Sequence, residues 1–233
     1  SEGAWAFEPY LETAKVGALA NRLNIPGGKN DPEMVRQGLI ERLNNKQYFK
    51  TLAVEADVKA IPGGMADNRA QLKSLVAAAG ENDRLMLRRV FSGGGLGNLA
   101  GPAHELKPKL RAWYQNDVVL VEPLLNFVET VGSLVELTGD QVVFRGMDIQ
   151  LFEQGCWSGF RFPYQRPRLA DEIRASSLRL AEVIRKMGVQ GYLNLDWGIT
   201  EPQPGVFEVL AIEANVRHNG LSHILDFAAR YFA

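Results

Sequence analysis

The sequence predicts an α+β protein built as two lobes, and three observations lead to that fold class. Apolar residues at helical spacing dominate residues 1–45, where strand signals are scarce. A strand, a glycine-rich loop, a helix and another strand then follow one another up to Glu122. After Pro123 the composition shifts to β-rich segments, and two strands and a closing helix end the chain. We therefore expect a helical segment over 1–45, one α+β lobe over 46–122 and a second over 123–233.

The N-terminal segment is predicted to be helical from its apolar spacing and its start and stop signals. A first helix covers residues 5–24 and ends at Ile25-Pro-Gly-Gly28, because Pro and Gly interrupt helices. A second helix begins at Asp31-Pro32-Glu33, where an N-cap acid precedes a proline at the first helical position, and it continues to Leu43. A third helix starts at Asn44-Asn45 and ends near Ala56.

The first lobe is predicted to combine short strands with two more helices. Residues 58–61 form a short strand that ends at Pro62-Gly63-Gly64. Asp67 caps a helix that ends at Gly80. The remaining elements of this lobe are strands over 84–90 and 117–122 and a helix over 102–113.

The second lobe is predicted to begin as a β-meander. Residues 127–137 and 141–152 form two strands joined by the turn Thr138-Gly139-Asp140, and 155–162 form another strand. Pro167 opens the most clearly amphipathic helix of the chain, which ends at Gly188. Two strands follow, and a last helix over 222–231 closes the chain.

Those two C-terminal strands carry polar residues at alternate positions. The polar members are Asn194 and Asp196 in the first strand and Glu213, Asn215 and Arg217 in the second. Because side chains alternate between the faces of a strand, each polar set shares one face, and Ile212, Ala214 and Val216 should pack behind the second set. Carboxylate and amide oxygens suit Mg²⁺, and a guanidinium suits a phosphate or an oxyanion. The alternative is a half-exposed hairpin with a polar solvent face, and the register between the strands stays open.

The glycine loop, Ser92–Gly97, has four glycines in six positions. Glycine lets backbone N–H groups turn toward an anion without a Cβ in the way, and such loops bind phosphates. The loop follows a strand that carries Arg88 and Arg89, so cations lie close to a glycine hinge. The loop lacks the Gly-Lys-Ser/Thr ending of a P-loop. A flexible surface loop is the alternative interpretation.

Composition argues against several classes of protein. The formal net charge of −1 gives no basic surplus, so we expect no nucleic-acid partner. A single cysteine excludes an internal disulfide, and three scattered histidines without a CxxC argue against a zinc site. No apolar run approaches the ~20 residues of a membrane span, and the N-terminus lacks the features of a signal peptide. We therefore expect a cytoplasmic protein without a membrane partner.

From about Lys46 to Leu225 the chain resembles the ATP-grasp superfamily of carboxylate–amine ligases. The motifs that carry the resemblance, in the order of the family, are Asn45-Lys46, Met86-Leu-Arg88, Ser92–Gly97, Val119-Leu-Val-Glu122-Pro-Leu-Leu125, and Asp196 together with Glu213-Ala-Asn-Val-Arg217. Arg88, or Arg89 if the alignment shifts by one residue, stands where the family has a phosphate-binding lysine. This change keeps the positive charge and adds a bidentate fork, so phosphate binding is still expected.

The resemblance implies the ATP-grasp fold, in which two α+β lobes sandwich the nucleotide, with ATP and Mg²⁺ as cofactors. Nucleotide binding is implied for Lys46, Arg88, Ser92, Gly93, Gly94, Gly95, Gly97, Glu122, Leu124, Leu125 and Glu129. Metal binding is implied for Asp196, Glu213 and Asn215, and a catalytic role for Arg88 and Arg217.

The function that the resemblance implies is an ATP- and Mg²⁺-dependent ligase, which joins a small-molecule or peptide carboxylate to an amine through an acyl phosphate and releases ADP. A homodimer is compatible with it. The forms Gly146-Met-Asp-Ile-Gln150 and Glu213–Arg217 are similar to peptide-ligase-like members that have a pre-ATP-grasp domain. Two alternatives stay open. One is a non-catalytic ATP-binding module for regulation or assembly, and the other is an ATP-grasp phosphotransferase, for which His218 is the only hint in the sequence.

The chain departs from the family at its N-terminus. The family has a Rossmann-like domain before the lid, and that domain often helps to bind substrate. Here only residues 1–45 precede Lys46, and they are predicted to be helical. We therefore expect that the Rossmann-like domain has been lost, lies on another chain, or belongs to a longer protein of which this sequence is a fragment.

Overall fold

The computed structural model describes residues 7–91, 97–153 and 155–231, which form helices and two antiparallel sheets. The helices are α1 (Ala14–Leu23), α2 (Pro32–Arg36), α3 (Leu39–Leu43), α4 (Lys46–Glu55), α5 (Arg69–Ala78), α6 (Ala103–Trp113), α7 (Pro167–Arg185) and α8 (Gly220–Tyr231). The strands are β1 (Gly64–Ala66), β2 (Arg84–Arg89), β3 (Leu99–Pro102), β4 (Val119–Pro123), β5 (Glu129–Leu137), β6 (Val142–Glu153), β7 (Cys156–Arg161), β8 (Gly191–Gln203) and β9 (Val206–Val216). This arrangement confirms the predicted α+β class. Within the described ranges, no helix combines the length and apolar character needed to cross a membrane.

The smaller sheet has the strand order β1-β4-β2-β3, and its neighbouring strands are antiparallel. Helices α5 and α6 pack against each other and against this sheet. The contact is apolar, because Leu72 of α5, Leu87 of β2 and Leu106 of α6 are all fully buried in one cluster. Burial of side chains of this size is the main stabilising contribution to such a unit.

The larger sheet has the order β7-β6-β5-β8-β9 and is also antiparallel. Helix α7 lies on one face of it and contributes Ile173 and Leu180 to a second apolar cluster. Trp197 of β8 is fully buried there, and its indole Nε1 donates a hydrogen bond of 2.8 Å to Ser133 Oγ. Phe49 of α4 belongs to the same cluster, so α4 is anchored on the larger sheet. The predicted lobe boundaries at residues 46 and 123 stay predictions.

The N-terminal helices are shorter than the sequence patterns predicted. The first begins only at Ala14, where the Thr13 side chain accepts a hydrogen bond from the Val16 N–H as an N-cap. The predicted helix from Asp31 to Leu43 is divided into α2 and α3, because Gly38 adopts φ +75° between them. A helix cannot pass through a residue in that left-handed conformation.

The edge of the smaller sheet also differs from the prediction. Residues 58–61 do not form a strand, and their only β-contact within the described chain is a single bridge from Ala60 to Ala211. The strand lies instead at Gly64–Ala66, where the glycines predicted a turn, because pairing with β4 stabilises it. Strand β3 follows the glycine loop and was not predicted, since a Gly- and Pro-containing run of four residues gives little strand signal.

Candidate functional site

A cavity of about 580 Å³ lies between the two sheets. The smaller sheet lines it with Met86 and Arg88 of β2 and Glu122 of β4, and the larger sheet lines it with Asp196 of β8 and Glu213 of β9. A binding cleft between two packed units, with a few convergent polar groups, is the ordinary setting of a small-molecule site.

The register between β8 and β9, which the sequence left open, is set by direct pairing. Asp196 lies opposite Glu213 and Asn194 lies opposite Asn215. Gly205, with φ +78°, closes the hairpin that joins the two strands. Asn194 Nδ2 donates to Asp196 Oδ1 at 2.9 Å, and Asn215 Nδ2 donates to Asp196 Oδ2 at 3.0 Å. The two predicted polar sets therefore share one face of the sheet and are in contact.

A β-bulge interrupts this pairing next to the carboxylates. Asp196 pairs with Glu213, but Trp197 pairs with Ala211, so Ile212 is an extra residue in β9. Ile212 lines the cavity together with Glu213. The prediction that Ile212 packs behind the polar face is therefore wrong, whereas Ala214 and Val216 are buried in the core as predicted.

Two buried cations converge on Glu213 from other elements. Lys46 Nζ, at the start of α4, lies 3.3 Å from Glu213 Oε2. Arg88 Nη2, from β2, donates to the same oxygen. Burial lowers the pKa of Lys46, and the charge of Arg88 lowers it too, whereas Glu213 raises it. The predicted phosphate-binding residues Lys46 and Arg88 are thus brought together with a predicted metal ligand.

Glu122 links the same cluster to the interior of the smaller lobe. Its side chain is almost fully buried at the end of β4, and Arg88 Nη1 lies 3.4 Å from its Oε2. Lys50, one turn along α4 from Lys46, makes an ion pair with the other carboxylate oxygen. Lys50 was not singled out in the sequence, because a lysine in a helix is usually solvated.

The metal set predicted from the sequence consists of Asp196, Glu213 and Asn215, which offer two carboxylates and an amide. Burial raises the pKa of Asp196, and the charge of Glu213 raises it further, while hydrogen bonds from Gln150 and Asn194 lower it. A divalent cation between the two acids would offset that repulsion, so the donor set fits Mg²⁺ chemically. Within the described residues, no group of three or more His, Cys, Asp or Glu side chains is placed to hold a metal ion.

The segment after β4 reaches the cavity as predicted, but Glu129 does not. Leu124 and Leu125 line the cavity. Glu129 faces away from it, where its Oε2 accepts a hydrogen bond of 3.1 Å from Tyr164 Oη and its Oε1 lies 3.3 Å from Arg166 Nε. Its neighbour Thr130 takes the cavity-facing position, because alternate residues of β5 point to opposite faces.

Most of the predicted glycine loop lies outside the described residues, namely Ser92, Gly93, Gly94 and Gly95. Gly97 is described, with φ +78°, and its carbonyl accepts a hydrogen bond of 3.1 Å from Trp113 Nε1. Gly97 does not line the cavity, but its neighbour Asn98 does.

Arg217 lines the cavity just beyond the carboxylates, and its guanidinium stacks 5.7 Å from the ring centroid of Tyr10. His218 points into a separate cavity of about 220 Å³. Its Nε2 lies 3.3 Å from Glu8 Oε1 in that cavity, and its ring stacks on His223, which lines the main cavity. The residue that hinted at a phosphotransferase therefore lies outside the main cavity.

Two polar residues on the floor of the cavity, Asp148 and Gln150 of β6, were quoted in the sequence only for the resemblance of Gly146–Gln150 and were given no role in the site. Gln150 Nε2 donates a hydrogen bond of 2.6 Å to Asp196 Oδ1. Burial raises the pKa of Asp148 to about 7, against a smaller lowering by a hydrogen bond from the Gly132 N–H. The signal that could have found them is their alternation with Met147 and Ile149 within a predicted strand.

Comparison with known proteins shows the fold rather than a close relative. No protein-family model and no curated protein sequence matches the chain. The biotin carboxylase domain of 2-oxoglutarate carboxylase from Hydrogenobacter thermophilus, solved with MgADP, ADP and bicarbonate, aligns with a TM-score of 0.74 at 16% identity over 95% of this chain. N5-carboxyaminoimidazole synthetase from Staphylococcus aureus, solved with ADP, aligns with a TM-score of 0.68 at 13% identity over 94% of this chain. D-alanyl-alanine synthetase A from Vibrio cholerae aligns with a TM-score of 0.64 at 14% identity over 88% of this chain.

The chain spans only part of these three proteins, 50%, 54% and 62% of their respective lengths. All three are ATP-grasp enzymes. Identities this low establish a shared fold and nothing finer. The two antiparallel sheets with a cavity between them match that architecture over nearly the whole chain, and the fold predicted from the sequence is confirmed: this chain has the ATP-grasp fold.

Proposed function

We propose that the chain is the nucleotide-binding part of an ATP- and Mg²⁺-dependent ligase that joins a carboxylate to an amine and releases ADP. One observation carries the proposal. Asp196 and Glu213 are paired across two strands on the cavity face of the larger sheet, and Lys46 of α4 and Arg88 of β2 both reach the Glu213 carboxylate. Acids for a metal and cations for phosphates are therefore gathered at one point.

In this proposal the nucleotide lies along the cavity with its base near the end of β4. Apolar side chains suited to the faces of a purine come from both lobes, and they are Ile61, Met86, Leu125 and Ile212. The backbone after Glu122 supplies hydrogen-bonding groups at the edge of that slot. The phosphates then reach Lys46 and Arg88, which lie farther along the cavity floor.

The cations and acids of the site are already paired with each other before a ligand binds. Glu213 accepts from both Lys46 and Arg88. When a phosphate takes up those two cations, Glu213 loses its partners unless another cation replaces them. Asp196, Glu213 and Asn215 would hold Mg²⁺, which would neutralise charge on the phosphate oxygens. This exchange leaves no buried charge unpaired.

The reaction has two steps on the proposed scheme. A carboxylate oxygen of the substrate attacks the γ-phosphorus of ATP, which forms an acyl phosphate and releases ADP. The amine, once its ammonium form has lost a proton, attacks the acyl carbon; inorganic phosphate leaves, the nitrogen's second proton leaves with it, and an amide remains. Arg217 is positioned to stabilise the negative charge that develops on the acyl group, because it lines the cavity beyond Asn215. Lys46 and Arg88 hold the transferred phosphoryl group in line with the attacking oxygen.

The proposal is tested by measuring ADP release with Mg·ATP and panels of carboxylates and amines. We expect Glu213→Gln to reduce Mg²⁺-dependent turnover by about a hundredfold or more, as for the loss of a group that stabilises transition-state charge. Glu208→Gln is the matched control, because Glu208 lies on the same strand but is exposed and, among the described residues, its ion pair is with Lys59 at 3.6 Å. It should leave turnover unchanged.

Two results would redirect the proposal. Tight binding of Mg·ATP without any ADP release, in a protein verified to be full length, would favour the non-catalytic binding module. A stable phosphorylated product, instead of an amide and free phosphate in the mass spectrum, would favour a phosphotransferase. Unchanged turnover in Glu213→Gln would remove Glu213 from the site.

A further inference from the structure

A carboxylate that the proposed ligase chemistry leaves unused lies on the floor of the cavity. Asp148 of β6 is only 3% exposed, and it lines the cavity. Its Oδ1 has no hydrogen-bond partner, and no ion pair to it is found in the described part of the chain. The backbone N–H of Gly132 donates to its carboxylate. A buried charge without a counter-ion is costly, so this carboxylate either takes up a proton, as its raised pKa indicates, or pairs with a cation.

The strand pairing places Asp148 in line with the predicted metal ligands. Gly132 of β5 lies directly between Asp148 on β6 and Asp196 on β8, and Glu213 is opposite Asp196. With strands about 4.8 Å apart, Asp148 and Asp196 are separated by roughly 10 Å at the backbone. Across the sheet, Asp148 and Asp196 therefore lie on either side of Gly132.

Gly132 keeps the space between those acids open. A Cβ added at this position would lie 2.9 Å from Asp148 Oδ1 and 3.2 Å from Oδ2. The Asp148 carboxylate thus leans over the glycine. Asp196 is drawn toward the same space, because its Oδ1 accepts the 2.6 Å hydrogen bond from Gln150 of β6. A ligand group above Gly132 would meet carboxylate oxygens from two strands.

Aromatic side chains wall this part of the cavity. Phe160 of β7 pairs with Gln150, and Trp157 pairs with Phe152, and all three rings line the cavity. The described cations that meet Glu213 enter instead from α4 and β2 on the β9 side of the sheet. The cavity therefore has a cationic end and an end that combines an acid with aromatic rings.

The chemistry of that second end favours an organic ammonium ion over another metal ion. Mg²⁺ needs several oxygens at about 2.1 Å, whereas the carboxylates on either side of Gly132 come from strands roughly 10 Å apart. An ammonium ion donates three hydrogen bonds of about 2.8 Å, so it bridges carboxylates that stand farther apart. Aromatic rings attract organic cations and pack against their carbon chains.

We propose that the amine acceptor of the ligase binds as an ammonium ion above Gly132, with Asp148 as its counter-ion and with Trp157 and Phe160 beside its carbon chain. This inference rests on the proposed function and adds the class of acceptor, a primary amine with an apolar or aromatic body. Asp148 is then a specificity-determining residue, because a neutral or anionic acceptor leaves its charge unpaired.

Calorimetric titration tests the inference with two probes of the same shape, 2-phenylethylamine and 2-phenylethanol. Both are titrated into the protein saturated with Mg²⁺ and a non-hydrolysable ATP analogue. The wild-type chain should bind the amine at least tenfold more tightly than the alcohol, because only the amine pairs with the buried carboxylate. Equal affinities, or no binding of the amine, would overturn the inference without any variant.

Substitutions at Asp148 and Gly132 test whether the amine binds in the space above Gly132. Asp148→Asn keeps the shape and an acceptor for the Gly132 N–H but removes the charge, and it should weaken amine binding about tenfold or more. Gly132→Ala should weaken it as well, since the added Cβ occupies the space above the strand. Asp171→Asn is the control, because Asp171 is an exposed acid on α7, and it should change nothing.

Titration of the ATP analogue into the same proteins distinguishes a failure of the inference from a failure of the proposed function. Asp148→Asn should bind the Mg²⁺ complex of the analogue as the wild type does. Weaker analogue binding with unchanged amine binding would place Asp148 in the nucleotide site and overturn the inference. If the wild type binds the analogue but not the amine, the inference fails and the proposed ligase function stands. If the analogue itself does not bind, the proposed function fails, and the inference fails with it.

Discussion

The smaller and the larger sheet each bury a separate apolar core, but they contribute different charges to the cavity between them. The smaller sheet supplies Arg88, which is neutralised within its own lobe by Glu122. The larger sheet supplies three carboxylates, Asp148, Asp196 and Glu213. At the cavity the lobes are joined by an ion pair, from Arg88 to Glu213. A charged ligand can replace one partner of this ion pair, whereas an apolar interface would have to separate before a ligand could enter.

The largest expected effect tests whether the two apolar cores are independent of each other. Trp197→Ala removes a fully buried indole and its hydrogen bond to Ser133, and it should lower the free energy of unfolding by about 4 kcal/mol. Leu87→Ala is the matched change in the smaller core, with an expected loss of about 3 kcal/mol. Because the clusters are separate, amide hydrogen exchange should accelerate in β5 and β8 for the first variant and in β2 and β4 for the second. Equal acceleration of both sheets by either variant would contradict separate cores.

A second prediction concerns the acids of the larger sheet. Burial raises the pKa of Asp148 from 3.8 to about 7, so its contribution to stability is greatest at low pH and is lost as the pH rises through that value. Asp148→Asn stays neutral throughout and should be more stable than the wild type at pH 8, by about 2 kcal/mol after allowance for relaxation around the charge. At pH 4 the two proteins should unfold alike. Thermal unfolding across this range measures the difference, and a variant that is less stable at pH 8 would contradict it.

The smallest expected effect concerns which lobe α4 belongs to. Asn45 caps this helix by accepting hydrogen bonds from the N–H groups of Gln47 at 2.9 Å and Tyr48 at 3.2 Å. Asn45→Ala should cost about 1 kcal/mol. Since Phe49 packs in the core of the larger sheet, the increase in hydrogen exchange should appear in α4 and β9. An increase confined to the smaller sheet would assign α4 to the other lobe.

The order of the elements and most of the charged site could be predicted from the sequence, because periodicity and capping act over a few residues. Glu213 and Asn215 share a face by alternation alone, as do Asn194 and Asp196, and the structure then pairs the two strands directly. The register depended on how the hairpin closes at Gly205, which distant packing decides. Glu129 was assigned by resemblance alone, and it does not line the cavity because its face depends on where β5 begins to pair. Strand β1 has three residues and exists only through its partner β4.

The bulge in β9 changes which alternate residues of the strand face the core. Before it, the odd-numbered residues Val209 and Ala211 point into the core, and after it the even-numbered residues Ala214 and Val216 do so. Removing Ile212 alone would restore strict alternation and still leave Glu213 opposite Asp196. The apolar wall that Ile212 gives the cavity is therefore a single-residue insertion, separable by deletion from the acid pair beside it. A protein shortened by that one residue would keep its charged floor and lose one side of the slot proposed for the base.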